Sequence, residues 1–264
     1  MIRSLNTAAT GMAAQQNNMD VIANNIANVS TNGFKKSRAE FEDLMYQTQK
    51  EPGASTGANS FSPNGVQVGL GVKTAAVQKD FTYGSAQVTK NPLDIQIEGS
   101  GFFQVLTPDG EVAYTRDGAF KKDPNGRIID KNGNVLQPEI TIPADTSGIE
   151  ISANGEVRVI QGTGGPNAAP TTLGTIDVVN FVNPAGLRAA GKNLFQQTPA
   201  SGQAITSRPG LNGTGFLSQG QLEASNVNIV DEMVGMITAQ RAYETNSKVI
   251  QTSDQMLQTI NNMR

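Results

Sequence analysis

The fold is decided first by Leu5–Val29, which reads LNTAATGMAAQQNNMDVIANNIANV. Steps of three and four residues alternate without a break along its core positions, which are Leu5, Ala8, Met12, Gln15, Met19, Ile22, Ile26 and Val29. This is the 3.5-residue period of a coiled-coil seam, and only Gln15 is polar. A seam this narrow needs a second helix to cover it, so the stretch predicts a helix over about Ser4–Asn28 that packs against another helix.

A second helix is predicted at the other end of the chain, beginning near Asn228. Asn228 is a favourable cap, and Asp231 and Glu232 suit the positive end of the helix dipole. Apolar residues recur on a similar but looser period at Val230, Met233, Ile237, Val249, Ile250, Met256, Leu257 and Ile260. Because the first helix contains Gly11 and several Asn residues, it is expected to be marginal alone and to depend on packing.

The middle of the chain carries a β pattern. Leu93, Ile95 and Ile97 alternate with polar residues, and 107–110 has the chemistry of a tight turn. The Asn154-Gly155 pair predicts a hairpin. Strands are expected at Phe102–Leu106, Glu139–Ile142, Gly148–Ser152, Glu156–Gln161, Thr175–Phe181 and Leu194–Thr198. Loops are expected at Thr48–Gly71, Gly162–Pro170 and Asn212–Gly220, the last as an exit linker.

These patterns predict an α+β fold, in which the N- and C-terminal helices pair as a coiled coil. A β-rich, mostly antiparallel middle domain and a long extended loop are inserted between them. The expected boundaries are 1–30 for the N-terminal helix of an inner coiled-coil domain and 31–71 for a linker with the long extended stretch. A β-rich outer domain then covers 72–222, and 223–264 holds the C-terminal helix of the inner domain.

Composition excludes several classes of function. The chain has 264 residues without Cys or His, which removes thiolate and imidazole ligands and the usual general base near neutral pH. No catalytic residue, metal or cofactor is therefore predicted, and the chain is not expected to be an enzyme. Its net charge of −3 gives no electrostatic case for binding nucleic acid. Without a run of about 20 apolar residues, membrane insertion is not expected.

Three clusters of polar residues are predicted to be ordinary surface. Asp130–Asn134 resembles a calcium loop, but its spacing lacks the required Gly and Glu, so a turn is favoured. Four carboxylates, Asp109, Glu111, Asp117 and Asp123, could be imagined as a hydrolytic pair and are expected to be solvated. The basic run of Lys35, Lys36 and Arg38 is likewise predicted to be a solvated face.

Four segments, in order along the chain, resemble the axial protein family of the bacterial flagellum, which includes rod, hook and hook-associated subunits. They are ANNIANVSTNGFK (23–35), LDIQIEGSGFF (93–103), YTRDGAF (114–120) and LEASNVN (222–228), the last continuing through AQRAYE (239–244) to Met256-Leu257. The motif residues that carry the resemblance are Asn24, Asn25, Asn28, Gly33, Phe34, Asn226, Gln240 and Arg241. Length and the 46–71 stretch are most similar to the distal rod members of the family.

The resemblance implies a structural subunit of the basal-body distal rod, which polymerises into a rigid helical tube around a central export channel and transmits torque from motor to hook. It implies proximal rod and hook subunits at the two ends of the tube and the P and L rings around it. It also implies export by the flagellar type III apparatus without a cleaved signal peptide, and a position crossing the periplasm. A proximal rod or hook-type subunit is the alternative, followed by an adhesin-like binding module.

The resemblance and the heptad period together predict an assembly interface on the inner helices. Its expected residues are Leu5, Met12, Met19, Ile22, Ile26, Val230, Met233, Ile237, Tyr243, Ile250 and Leu257.

Overall fold

The structure is a computed structural model that describes residues 2–52, 55–57, 60–61, 63–161 and 170–262. The chain divides into two compact units. A helical unit contains Met1–Ala27, Ser37–Gln78 and Asn228–Arg264, and a β-rich unit contains Asn28–Lys36 and Lys79–Val227. The predicted α+β class, with terminal helices that pack together and an antiparallel β-rich middle, is confirmed.

The helical unit is built on α1 (Ile2–Ala27) and α2 (Ile229–Asn262). The predicted cap of α2 is present, because the Val230 amide donates to Asn228 Oδ1 at 3.1 Å and the Glu232 amide donates to the Asn228 carbonyl at 3.1 Å. The first bond satisfies a first-turn amide that has no partner within the helix, and the second is the first i→i−4 bond of α2.

The two helices approach closely at two glycines, one on each helix. A Cβ placed on Gly11 of α1 would lie 2.9 Å from Asn246 Nδ2 of α2. A Cβ placed on Gly235 of α2 would lie 3.4 Å from Ile22 Cδ1 of α1. The glycine that weakens α1 as an isolated helix is therefore what lets α2 approach at that level.

The helical unit also contains a β arm, defined here as residues 37–78. Its strands form three nested pairs: β1 pairs with β6, β2 pairs antiparallel with β5, and β3 pairs antiparallel with β4. Their bounds are β1 (Ser37–Asp43), β2 (Tyr46–Lys50), β3 (Ser55–Gly57), β4 (Ser60–Phe61), β5 (Val66–Gly69) and β6 (Val72–Lys79).

The long loop predicted over Thr48–Gly71 instead contains paired strands in its described residues. Strand β2 pairs with β5 from Tyr46↔Gly69 to Lys50↔Val66. Every residue of β2 is exposed, so the apolar alternation that marks a half-buried strand is missing there. Backbone hydrogen bonds define this hairpin, and they leave little trace in the sequence.

The β-rich unit contains sixteen strands in its described residues. They are β7 (Ala86–Val88), β8 (Ile95–Glu98), β9 (Phe102–Leu106), β10 (Val112–Thr115), β11 (Lys121–Lys122), β12 (Ile128–Ile129), β13 (Val135–Gln137), β14 (Thr146–Ile151), β15 (Glu156–Gln161), β16 (Thr171–Thr175), β17 (Val178–Asn180), β18 (Arg188–Gly191), β19 (Leu194–Gln196), β20 (Ile205–Ser207), β21 (Phe216–Gln219) and β22 (Gln221–Glu223). A short 3-10 turn lies at Pro184–Gly186.

Strand β9 is the centre of the main, nine-stranded sheet. It pairs antiparallel with β10, β13 and β17, and the sheet continues outward through the order β11-β12-β13-β9-β10-β19-β18. Phe103 and Val105 lie in the larger hydrophobic cluster, whereas Phe102 lies in a second cluster with Tyr114 and Phe181. Because successive side chains of a strand point to opposite faces, β9 is buried on both sides.

Several strands and turns follow the sequence prediction. Val112 pairs with Leu106 across the predicted 107–110 turn, and Asn154-Gly155 lies between the paired strands β14 and β15. Two expectations are wrong. Glu139–Ile142 forms only a single bridge, Arg127↔Thr141. The expected exit linker contains β21, whose Leu217 is buried and pairs with Ile97 of β8. Of the predicted loop at Gly162–Pro170, 162–169 lie outside the described residues.

Within the part of the chain that the structure describes, no helix is both long enough and apolar enough to cross a membrane.

Candidate assembly site

One face of α2 carries large apolar side chains that the chain itself does not cover. Val230, Met233, Val234 and Ile237 are spaced i, i+3, i+4 and i+7, so they lie on one side of the helix. Val230 is 67% exposed and Met233 is 54% exposed. We call these four residues the open face. A contiguous exposed apolar patch of this kind marks a surface that contacts another molecule.

A different row of α2 residues is covered. Ala239 and Ser253 are buried, and Asn246 lies in the same helical row and faces Gly11 of α1. Small side chains permit the close approach of the helices. Small side chains contribute little to an apolar period. The sequence period therefore predicted the larger residues of the open face as the interface instead.

The predicted interface residues therefore differ in exposure. On α1, Ile22 is buried and the other four are half-buried: Leu5, Met12, Met19 and Ile26. On α2, Ile250 and Leu257 are half-buried, whereas Val230, Met233, Ile237 and Tyr243 are exposed. Whether the exposed residues contact other copies of the chain stays a prediction.

Asn25 is a buried amide that joins three elements of the helical unit. Its Oδ1 accepts a hydrogen bond from the Ser37 amide at 2.8 Å, and its Nδ2 donates to the Ser37 carbonyl at 2.8 Å. The same Nδ2 donates to Glu232 Oε2 of α2 at 3.2 Å. Asn25 thus fixes the first residue of the β arm against both helices, and a buried amide with these partners is satisfied.

Three other motif residues have structural roles in the β-rich unit. Gly33 has a φ of +68°, and a Cβ there would lie 2.7 Å from the Asp117 amide nitrogen. Asn226 accepts a hydrogen bond from the Lys36 amide at 2.8 Å and donates to the Asp80 carbonyl at 2.9 Å. Phe34 is buried, Asn28 is half-buried, and Asn24, Gln240 and Arg241 are exposed.

A buried ion cluster lies in the β-rich unit, and it consists of Lys35, Arg116 and Glu223. Lys35 Nζ is 2.6 Å from Glu223 Oε1, and Arg116 Nε is 2.9 Å from Glu223 Oε2. None of the three side chains is more than 2% exposed. Lys35 also donates to the Thr82 carbonyl at 2.7 Å. The prediction that Lys35 belongs to a solvated basic face is therefore wrong.

Two positive charges share one carboxylate in this cluster. Burial lowers the pKa of the Lys35 ammonium from its ordinary 10.5 to about 8, and the neighbouring Arg116 charge adds to this effect. The Glu223 carboxylate opposes it. Burial also lowers the pKa of Arg116, again with Glu223 acting in the opposite direction. The cluster is thus held by an anion that only partly offsets the burial of its cations.

Of the four carboxylates expected in solvent, two are exposed and two have side chains that are largely buried. Asp109 and Glu111 are exposed, as predicted. Asp117 is buried and lies 2.5 Å from Lys131 Nζ, and the Asp123 side chain is 7% exposed and pairs with Arg127. Asp130 stabilises its own turn, because its carboxylate accepts from the Asn132 amide and from Asn134 Nδ2. In the described residues, no group of acidic side chains is arranged to hold a metal ion.

Three family models match the chain. They are described as Flagella basal body rod protein at residues 5–35, Flagellar hook protein FlgE/F/G D1 domain at residues 96–159 and Flagellar basal body rod FlgEFG protein C-terminal at residues 218–263. The paired terminal helices correspond to the first and third models, and strands β8 to β15 correspond to the second. The fold and these matches therefore define the class of protein, which is that of the flagellar axial proteins.

Full-length relatives give the narrower family. The Flagellar basal-body rod protein FlgG of Borreliella burgdorferi is 52% identical over 266 residues, covering 100% of this chain and 99% of the relative. That of Buchnera aphidicola from Acyrthosiphon pisum is 50% identical over 264 residues, covering all of both chains. The chain belongs to the FlgG family of flagellar basal-body rod proteins. Membership confirms the predicted structural, non-enzymatic role.

A hook relative is more distant. The Flagellar hook protein FlgE of Escherichia coli K12 is 25% identical over 415 residues, covering 97% of this chain and 99% of the relative.

Replacing Asn25 with Ala should free the start of the β arm. The substitution leaves the Ser37 amide and carbonyl without their Asn25 partner, and a lost buried hydrogen bond costs about 1–3 kcal/mol. We expect faster hydrogen exchange at the Ser37 amide in the full-length protein. The control is Asn6→Ala, at an exposed position of the same helix. Equal exchange in the two variants would refute the role of Asn25.

Raising the pH should stabilise the β-rich unit through Lys35. Between pH 8 and 10.5 the unfolded chain keeps a proton that the folded chain loses, so the free energy of unfolding rises with pH across this window. Below pH 8 the full cost of the buried ammonium is present. Denaturant unfolding should show this rise in the native sequence and a smaller one in Lys35→Met. Identical slopes in both proteins would contradict the assignment.

Proposed function

We propose that this chain, a structural subunit of the flagellar basal-body distal rod, polymerises into a rigid helical tube that transmits torque from the motor to the hook. The observation that carries the proposal is the open face of α2. It is an apolar stripe on a helix whose opposite side is already packed against α1. Covering such a stripe with another surface is favourable, because it removes apolar area from water.

In a tube, other copies of the same chain cover the open face of each subunit. The open face and the α1–α2 seam are different surfaces, so each subunit uses one to fold and the other to bind a neighbour. Contacts between different patches are head-to-tail, and they build an open helical fibre when the rotation between copies does not close a ring. The paired helices then line the central channel, and the β-rich unit forms an outer layer.

The β arm is the element that stiffens the tube in this proposal. It carries exposed apolar residues, including Met45 at 84% and Tyr46 at 55% exposure, which a neighbouring copy would cover. An isolated two-stranded hairpin is only marginally stable in water, so an arm of this length gains order from contacts on its sides. Wedged between subunits, it resists bending of the tube.

The partners and location follow from the same proposal. The chain assembles into the flagellar basal body with other flagellar components. Its neighbours at the two ends of the tube are proximal rod and hook subunits, and the P and L rings surround it. The chain reaches this place through the flagellar type III export apparatus without a cleaved signal peptide, and the tube crosses the periplasm.

Electron cryotomography of basal bodies tests the distal rod role in a motile source strain that lacks this chain. A rod that begins but stops short, with no hook, is the expected result. A rod missing almost from its base would instead favour the proximal rod alternative. A complete rod without a hook would favour a hook-type subunit, and an unchanged flagellum would refute the proposal.

Charge on the open face should block assembly without unfolding the chain. Val230→Asp and Met233→Asp remove apolar burial worth about 2 kcal/mol per side chain, which raises the concentration needed for assembly roughly thirtyfold. The control is Gln255→Asp, which adds the same charge at an exposed α2 position outside the open face. Motility and sedimentation of the purified chains measure the effect. Normal rods from both open-face variants would exclude this surface as the interface.

Shortening the β arm should soften the tube. Deletion of 48–63 removes β3, β4 and most of β2, and with them the contacts proposed to resist bending. Complementation of the deletion strain, followed by electron microscopy of isolated basal bodies, should show curved rather than straight rods. Straight rods from the deletion variant would exclude the arm as the stiffening element.

A further inference from the structure

The buried ion cluster joins parts of the β-rich unit that are far apart in the chain. Lys35 lies before the first strand of this unit, Arg116 follows β10, and Glu223 ends β22 near the C-terminal boundary. The Lys35–Glu223 pair spans 188 residues and the Arg116–Glu223 pair spans 107 residues. The last of the three residues to be synthesised is therefore the one that carries the negative charge.

Glu223 gathers hydrogen-bond donors from several segments. Besides Lys35 Nζ, its Oε1 accepts from the Gly84 amide at 2.9 Å and from Arg116 Nη2 at 3.3 Å. Its backbone carbonyl accepts from the Gly33 amide at 2.7 Å. Strand β22 also pairs with β7, with Leu222 opposite Gln87. One residue thus holds the beginning, middle and end of the β-rich unit together.

Without Glu223, closure of this unit would bury two cations and no anion. Arg116 is held in place by the carbonyls of Gly101 and Gly99, at 2.7 and 2.8 Å, so it cannot turn outward without losing both bonds. An uncompensated buried charge is among the most destabilising features a protein can have, and a small domain has little stability to spare.

No other described anion is placed to replace Glu223. Asp80 is the other carboxylate that acts on Lys35, and it is one-third exposed and 3.8 Å from Lys36 Nζ. Water and Lys36 therefore screen its charge. Lys79, the remaining charged neighbour, donates to the Lys35 carbonyl at 3.4 Å and adds a further cation.

We propose that Glu223 is a closing residue, so that the β-rich unit cannot hold its folded state until residues 221–227 join it. Because synthesis proceeds from the N-terminus, a chain that has not yet delivered Glu223 stays open. For an exported rod subunit this keeps the chain unfolded while it is made, and that consequence alone rests on the proposed function.

The cluster predicts an asymmetry between its members. Lys35→Met leaves Arg116 and Glu223 as a neutral pair, and the Thr82 carbonyl still accepts from Asn226 Nδ2 at 3.2 Å. Glu223→Gln is nearly isosteric but leaves two buried cations, which mimics in the full chain the state before Glu223 arrives. The double variant Lys35→Met/Glu223→Gln leaves one buried cation. If the cluster were only a packing contact, Lys35→Met and Glu223→Gln would destabilise the β-rich unit equally.

Native-state hydrogen exchange of the purified full-length protein tests the proposal, with the amides of Phe103 and Val105 in β9 as reporters of opening. Glu223→Gln should reduce their protection roughly a hundredfold to a thousandfold, as expected for breaking a buried pair. Lys35→Met should keep native protection or exceed it. The double variant should recover at least about tenfold over Glu223→Gln.

Native protection in Glu223→Gln, or an equal loss in Lys35→Met, would overturn the proposal. If Glu223→Gln does not fold at all, the double variant decides, because recovered protection supports the closing role and no recovery refutes it. The exchange measurement uses the isolated chain and is independent of the rod assignment, which the tomography of the deletion strain tests separately.

Discussion

The buried carboxylate of Glu223 is the interaction on which the β-rich unit depends. It faces the Lys35 ammonium at 2.6 Å and the Arg116 guanidinium at 2.9 Å in a place that water does not reach. A buried ion pair adds little net stability compared with an apolar core, but the loss of one partner is severe. Such a cluster therefore specifies which chain segments must meet more than it strengthens the fold.

In the helical unit, one side of α2 packs against α1 and the other side is exposed. On the side of α2 that meets α1, Gly235 lies against Ile22, and Gly11 of α1 leaves room for the Asn246 side chain. Large apolar residues face outward as the open face. Because the two surfaces lie on opposite sides of α2, packing of α2 against α1 leaves the open face exposed, and this is the surface that we propose for assembly.

How far the sequence predicts this protein depends on the kind of signal each element carries. The helices and the Asn154-Gly155 hairpin follow from periodicity and turn chemistry, which are local. The β arm was missed because β2 is exposed along its whole length, so it has no alternation of apolar residues. Lys35 was placed in solvent because it precedes Lys36 and Arg38, and its true partners lie far away in the chain.

The α+β class, the two terminal helices, the absence of catalytic chemistry based on Cys or His, and the family can all be predicted from the amino-acid sequence. They depend on composition, short-range period and motifs, which are local. Which side of α2 packs against α1, and the joint burial of Lys35, Arg116 and Glu223, are known only from the folded chain. Charge burial in the cluster depends on Lys35 and Glu223, which are 188 positions apart, and the close approach of the helices depends on Gly11 and Asn246, which are farther apart still. No local sequence pattern encodes contacts over such separations.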